Sequence, residues 1–219
     1  MNQKAFVAEF VGTFALIFVG AGSIIADYVS GGKSGLTGIA LAHGLTIAVM
    51  VSATAAISGG HLNPAVTLAL LFIKKIDVPN AVGYVIAQCL GAIVAAYLLL
   101  ICMPHDAVSA VSLGTPALGV NITSGMGLLM EVITTFFLMF VIYGTAVDKR
   151  APKLAGLFIG LTVALDIFVA GPVTGAAMNP ARYLGPAVIS GNLNLIWLYW
   201  LGPVSGALLA AFCYNKILE

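Results

Sequence analysis

The tripeptide Asn-Pro-Ala occurs twice, at Asn63-Pro64-Ala65 and Asn179-Pro180-Ala181, each within apolar, glycine-rich sequence. Asn is a favoured helix N-cap and Pro is favoured at the first helical position. Each copy therefore predicts a helix start whose capping amide still has N–H donors to offer. Arg182 falls at the third helical position after Asn179, near the positive end of the helix dipole, where a cation is locally unfavourable. A charge inside membrane-grade sequence costs about 2.5 kcal/mol or more. Such an arginine needs either an acidic partner or a wet lumen, and the lumen is the favoured reading. Glu9, Glu131, Asp166, His43 and His61 are further titratable groups embedded in apolar runs. Together these groups supply hydrogen-bond donors and fixed positive charge, not covalent chemistry. No Gly-x-Ser-x-Gly elbow or His-Glu-x-x-His motif accompanies the histidines, so no enzyme is expected. Cys89, Cys102 and Cys213 show no CxxC spacing, which argues against a metal site, a cofactor or a disulfide framework.

The elements that must position these groups are membrane spans. The chain has 219 residues, 61% hydrophobic and 8% charged, with a net charge of +1 and a mean hydropathy of +1.09. That composition predicts a polytopic protein whose surroundings are a lipid bilayer, with no nucleic-acid partner. Apolar runs predict six spans near 4–28, 37–57, 81–102, 124–146, 154–171 and 196–216. Two shorter segments, 63–73 and 179–189, begin at the Asn-Pro-Ala copies. Eleven helical residues cover about 16 Å, roughly half of a hydrocarbon core about 30 Å thick. Both segments are therefore re-entrant half-helices.

An internal duplication runs through the chain. The stretch from Ala8 to Phe14, with Glu9, echoes that from Met130 to Phe136, with Glu131; Gly91-Ala92 echoes Gly206-Ala207. With three spans per copy, the second copy is inverted. The expectation is one domain over 1–219, with repeat one at about 1–102 and repeat two at about 122–219. Inverted repeats with broken helices place their site at the midplane. Lys4, Lys74, Lys75, Lys149, Arg150, Lys153 and Lys216 all fall on one side of this topology, which the positive-inside rule makes cytoplasmic together with both termini. The membrane is expected to be the cell (plasma) membrane.

Half-helices entering from opposite faces bring two positive helix ends to the bilayer centre, which repels cations. Asn63 and Asn179 would donate to a passing water and turn its own hydrogens away along the channel, opposing a proton wire. The preceding segments are expected to be extended and to present a ladder of carbonyls from Gly59, Gly60, His61, Leu62, Thr174, Gly175, Ala176 and Ala177. Extended backbone at this depth is tolerated only where it lines water. A secondary transporter is the alternative architecture, but beyond Glu9, Glu131 and Asp166 the spans offer no acidic pair for a coupling ion.

These motifs resemble the aquaporin, or major intrinsic protein, family over nearly the whole chain: Ala8-Glu9-Phe10, Ser58 to Thr67 through the first Asn-Pro-Ala, and Met178 to Arg182 followed by Gly185-Pro186. The resemblance implies an all-α membrane protein of six transmembrane helices plus two half-helices, a homotetramer with one pore per subunit, and a passive water channel that excludes protons and ions. It places the outer constriction on His43, Ile167, Ala176 and Arg182, and makes Glu9 and Glu131 partners for the re-entrant backbone. His on span two with an aliphatic residue on span five is similar to plant tonoplast intrinsic proteins, which adds ammonia, urea or hydrogen peroxide as candidate solutes. Glycerol facilitators place Asp after the pore arginine; here Tyr183 stands there. Ala176 stands where many mercury-sensitive members carry Cys. Protonation of His43 near neutral pH would add a cation to the constriction and make flux pH-dependent. Asp166 is expected to bond the outer loops, a neighbouring subunit or, less favourably, Arg182.

Overall fold

The computed structural model describes residues 2–150 and 154–218; Lys153 of the basic set lies outside them. Six helices are long and apolar enough to cross a bilayer. They are α1 (Gln3–Val29), α2 (Gly35–Ser58), α4 (Val78–Cys102), α6 (Ser124–Ile142, continued by a π-helical turn to Val147), α7 (Ala155–Thr174) and α9 (Ile196–Cys213, continued by a π-helical turn to Leu218). The half-helices are α3 (Pro64–Phe72) and α8 (Pro180–Ser190). A short α5 (His105–Ala110) interrupts the long linker between the repeats, an element the linker's composition did not announce. Span boundaries agree with the sequence reading to within about three residues, apart from the π-helical ends. No strand is present among the described residues.

Backbone sets helix proximity here more than side-chain bulk does. A Cβ on Gly91 of α4 would sit 2.4 Å from the Phe10 carbonyl oxygen of α1. The matching Cβ on Gly206 of α9 would sit 2.2 Å from the Val132 oxygen of α6. Between the repeats, a Cβ on Gly160 of α7 would sit 2.3 Å from the Gly44 oxygen of α2, and one on Gly44 would sit 2.5 Å from the Gly160 oxygen. Lipid is as apolar as a leucine side chain, so close packing of this kind takes the place of hydrophobic exclusion as the force between spans. Glu9 in α1 and Glu131 in α6 recur at corresponding places, and their partners correspond as well. The fold is thus built of inverted three-span repeats.

At the face carrying both termini, the two π-helical turns clasp each other. Tyr143 and Tyr214 stack with ring centroids 4.5 Å apart, and the Asn215 amide donates to the Tyr143 hydroxyl at 2.7 Å. Beside them the Arg150 backbone N–H and Nε–H both donate to Asp148 Oδ1 at 2.9 Å. These hydrogen bonds hold the Asp148 carboxyl below the usual aspartate range. The contact is complete above that range and is lost only as pH falls below it.

Replacing Gly160 or Gly206 by Val is expected to separate its helix pair, because the opposing atom is backbone and cannot swing away. The loss, on the order of 1–3 kcal/mol, is read as a lowered melting temperature of the detergent-solubilised protein. The same change at Gly31, which has open space around it, meets no atom and carries only the strain of its positive φ.

Candidate functional site

Each Asn-Pro-Ala copy forms the helix start its residues predict. Asn63 is extended (φ −158°, ψ 120°), its Oδ1 accepts from the Ala65 N–H, and Pro64 takes the first turn. Asn179 repeats this (φ −154°, ψ 112°), with Oδ1 accepting from the N–H groups of Ala181 and Arg182. The two caps are also tied to one another crosswise. Asn63 Nδ2 donates to the Met178 carbonyl at 2.8 Å, and Asn179 Nδ2 donates to the Leu62 carbonyl at 2.9 Å. Each amide has two N–H groups, so one remains on each for a solute. Both asparagines line the central cavity.

Leu62 (φ 51°) and Met178 (φ 51°) lie in the left-handed region, where a side chain is disfavoured by about 1–2 kcal/mol. That geometry carries their carbonyls to the opposite asparagine and their N–H groups to a buried carboxylate. Glu9 Oε2 accepts the Leu62 N–H at 2.6 Å, while Oε1 accepts the His61 N–H at 2.9 Å and the Ser58 hydroxyl at 2.6 Å. Glu131 Oε2 accepts the Met178 N–H at 2.7 Å, while Oε1 accepts the Ala177 N–H at 3.0 Å and the Thr174 hydroxyl at 2.7 Å. The two carboxylates thus make matching contacts with the two re-entrant loops. Buried donors of this kind are costly when unpaired, so the acidic groups fix the loops.

The expected carbonyl ladder requires three corrections. The Leu62 carbonyl is taken by Asn179. Thr174 belongs to α7, and its carbonyl accepts from the Tyr199 hydroxyl at 2.6 Å. Gly175 packs outward, with Pro116 3.0 Å from where a Cβ would stand. Residues 60, 61, 176 and 177 line the central cavity, and Gly59 lines the vestibule that adjoins it. Gly60, His61, Val66, Ile142 and Ile159 border both spaces, so the cavity at the asparagines and the vestibule towards the termini adjoin.

On the other side of the asparagines, His43, Ile167, Ala176 and Arg182 meet around the same cavity. Arg182 Nε donates to His43 Nε2 at 3.1 Å, and His43 Nδ1 lies 2.8 Å from the Ile39 carbonyl. A carbonyl only accepts, so Nδ1 carries the hydrogen and Nε2 is the lone pair that receives the arginine. A proton on Nε2 would face an N–H donor, so the pairing holds only with a neutral ring. Arg182 is 2% exposed and lines the cavity, while its Nη1 is buried without a hydrogen-bond partner among the described residues. Asp166 makes no ion pair with Arg182; it is buried, with Oδ2 unpartnered among the described residues.

Several supporting residues were not singled out from the sequence. Gln88 Nε2 donates to Glu9 Oε2 at 2.8 Å and to Thr67 Oγ1 at 3.0 Å. Tyr84 and Tyr199 donate to the carbonyls of Ser58 and Thr174, at 2.8 and 2.6 Å. The duplication was the usable signal, because these tyrosines recur at matching places in the repeats, as do Ser58 and Thr174.

The model of the family described as "Major intrinsic protein" matches residues 1–214. The chain belongs to the major intrinsic protein family. Among curated family members it is 41% identical over 224 residues to Aquaporin TIP2-3 of Arabidopsis thaliana, covering 99% of this chain and 88% of that one. It is 44% identical to Aquaporin NIP1-1 of Zea mays (96% and 73% covered) and 43% identical to Aquaporin-4 of Mus musculus (98% and 67%). The X-ray structure of the aquaglyceroporin from Plasmodium falciparum superposes with a TM-score of 0.91 at 26% identity, covering 100% of this chain and 97% of that one. Major intrinsic proteins are channels and not enzymes, and these relatives support a multi-pass membrane channel for water and small solutes.

Removing a carboxylate should unlock its loop. Glu131→Leu strands three donors and Glu9→Leu strands four, so each is expected to cost about 2–5 kcal/mol and to lower the melting temperature in detergent. Melting temperatures unchanged from wild type would show that the loops are held by something else.

Proposed function

We propose that the chain is a passive, single-file water channel that rejects protons and ions and also passes small neutral solutes such as ammonia, urea or hydrogen peroxide. The observation that carries this reading is the crossed pair of asparagine amides at two helix N-termini lining one central cavity, which a vestibule adjoins. Two positive helix ends and the Arg182 guanidinium oppose cations. Water exchanges its hydrogen bonds for those of the amides and carbonyls, whereas an ion loses its hydration shell without replacement. With Ile167 and Ala176 beside His43, the constriction carries no Phe, Tyr or Trp ring, which leaves room for ammonia or urea beside water. Tyr183 after the arginine, in place of an acidic residue, favours water over glycerol.

The subunits are inferred to form homotetramers with one pore each, following the family. Lys4, Lys74, Lys75 and Lys216 put the termini on the cytoplasmic side. The plasma membrane, expected from sequence, gains no support from a TIP-type relative, and the channel is assigned only to a multi-pass integral membrane setting.

Stopped-flow light scattering on proteoliposomes tests the assignment. Water permeability is expected to exceed that of protein-free vesicles many-fold, with a shallow temperature dependence, and to resist mercurials because Ala176 stands at the constriction. Swelling no faster than in empty vesicles would refute it, and glycerol passing faster than water would reverse the solute order. Arg182→Val is expected to keep water flux and admit cations. Because the His43 pairing requires a neutral ring, wild-type flux is expected to be flat from pH 6 to 8, roughly the window in which an ordinary histidine titrates; a step in that window that His43→Ala abolishes would contradict the pairing.

A further inference from the structure

His61 borders both the central cavity and the vestibule towards the termini. Its ring meets Tyr84 edge-on with centroids 5.0 Å apart. Nδ1 lies 3.2 Å from Thr67 Oγ1, while Nε2 has no partner among the described residues and is not sealed from solvent. Which nitrogen carries the hydrogen decides whether the lumen sees a donor or an acceptor.

The surrounding bonds favour one answer. Gln88 presents its amide nitrogen to Glu9, because the amide oxygen turned that way would face a carboxylate. The second N–H of the same amide points at Thr67 Oγ1, so Thr67 must accept there. Thr67 owns one hydrogen, and the Asn63 carbonyl lies 3.0 Å from its oxygen. With that hydrogen given to Asn63, the remaining Thr67 lone pair accepts from His61 Nδ1–H, and every contact around the hydroxyl is a hydrogen bond. With the hydrogen given to His61 instead, the bond to Asn63 is lost. The Gln88 oxygen stays buried and unpartnered, the cost of aiming the amide this way.

We propose that Gln88 and Thr67 are positioning residues that hold His61 as the Nδ1–H tautomer, so that a bare Nε2 faces the lumen as an acceptor. The claim rests on the pore reading above and adds the hydrogen-bonding character of its inner stretch. A water leaving the asparagines, where it accepts, next meets a nitrogen to which it donates. Ammonia and urea, which carry N–H donors, meet the same acceptor. The hydrogen-bond chain from Glu9 through Gln88 and Thr67 thereby couples loop support to what the lumen offers a solute.

Solid-state nitrogen NMR of histidine-labelled protein in liposomes reads the tautomer, with a His61→Gln difference spectrum assigning the signal. Wild type is expected to show His61 protonated at Nδ1 and bare at Nε2. Thr67→Val removes the hydroxyl at nearly constant volume. It is expected to give mixed tautomers and to lower osmotic permeability about fivefold, the worth of one ordinary hydrogen bond. Thr67→Ser is expected to restore both. A wild-type signal protonated at Nε2 would overturn the proposal, as would Thr67→Val with wild-type tautomer and flux. Should Thr67→Val fail to fold, the wild-type spectrum decides alone. Absent water flux in wild type would instead defeat the pore reading and leave the spectrum to judge the tautomer.

Discussion

Two carboxylates buried among membrane helices hold the interior together. Irregular backbone at membrane depth is admissible only when its polar groups are answered. The N–H groups of residues 61 and 62, and of 177 and 178, are answered by Glu9 and Glu131. A carboxylate accepts from several donors at once, which no neutral side chain does as well. With the loops held at their N–H groups, the carbonyls of Leu62 and Met178 are left to the opposite asparagine. Polarity is thereby sorted by direction: backbone donors turned to acid, these two acceptors turned away from it.

The sorting depends on strain at few places. Leu62 and Met178 take left-handed backbone, and the Glu carboxylates and crossed amides provide compensating bonds. The glycine contacts of α1 with α4, α6 with α9 and α2 with α7 fix where the carboxylates stand relative to the loops. Fold and site therefore share one constraint, the distance between helix backbones.

Much of this was legible in sequence, because membrane grammar is strict. Span number, the half-helices and the capping roles of Asn63 and Asn179 follow from apolar length, Asn-Pro order and the duplication. The four residues around the constriction came from likeness to a family, not from spacing, and they do meet at one cavity. What stayed hidden depended on third dimensions. Thr174 falls in the expected extended stretch because the fifth span is expected to end at 171, yet α7 persists to that residue. The Leu62 carbonyl could be assigned to Asn179 only once both loops had coordinates. Gln88, a polar residue in an apolar run, revealed its role only beside Glu9 and Thr67. Asp166, singled out in the sequence as a carboxylate within an apolar run, keeps its Oδ2 buried and without a hydrogen bond among the described residues.

The halves are not equal. Gln88 adds a side-chain donor to Glu9, while Pro203 at the corresponding place of α9 has none to give Glu131. Ancestral symmetry has thus been broken at a hinge-like spot, leaving the second re-entrant stretch under looser restraint than the first. Under heating or mechanical pull, the re-entrant arm that carries Arg182 would come free before the one that carries His61, so the constriction would loosen before the inner stretch does.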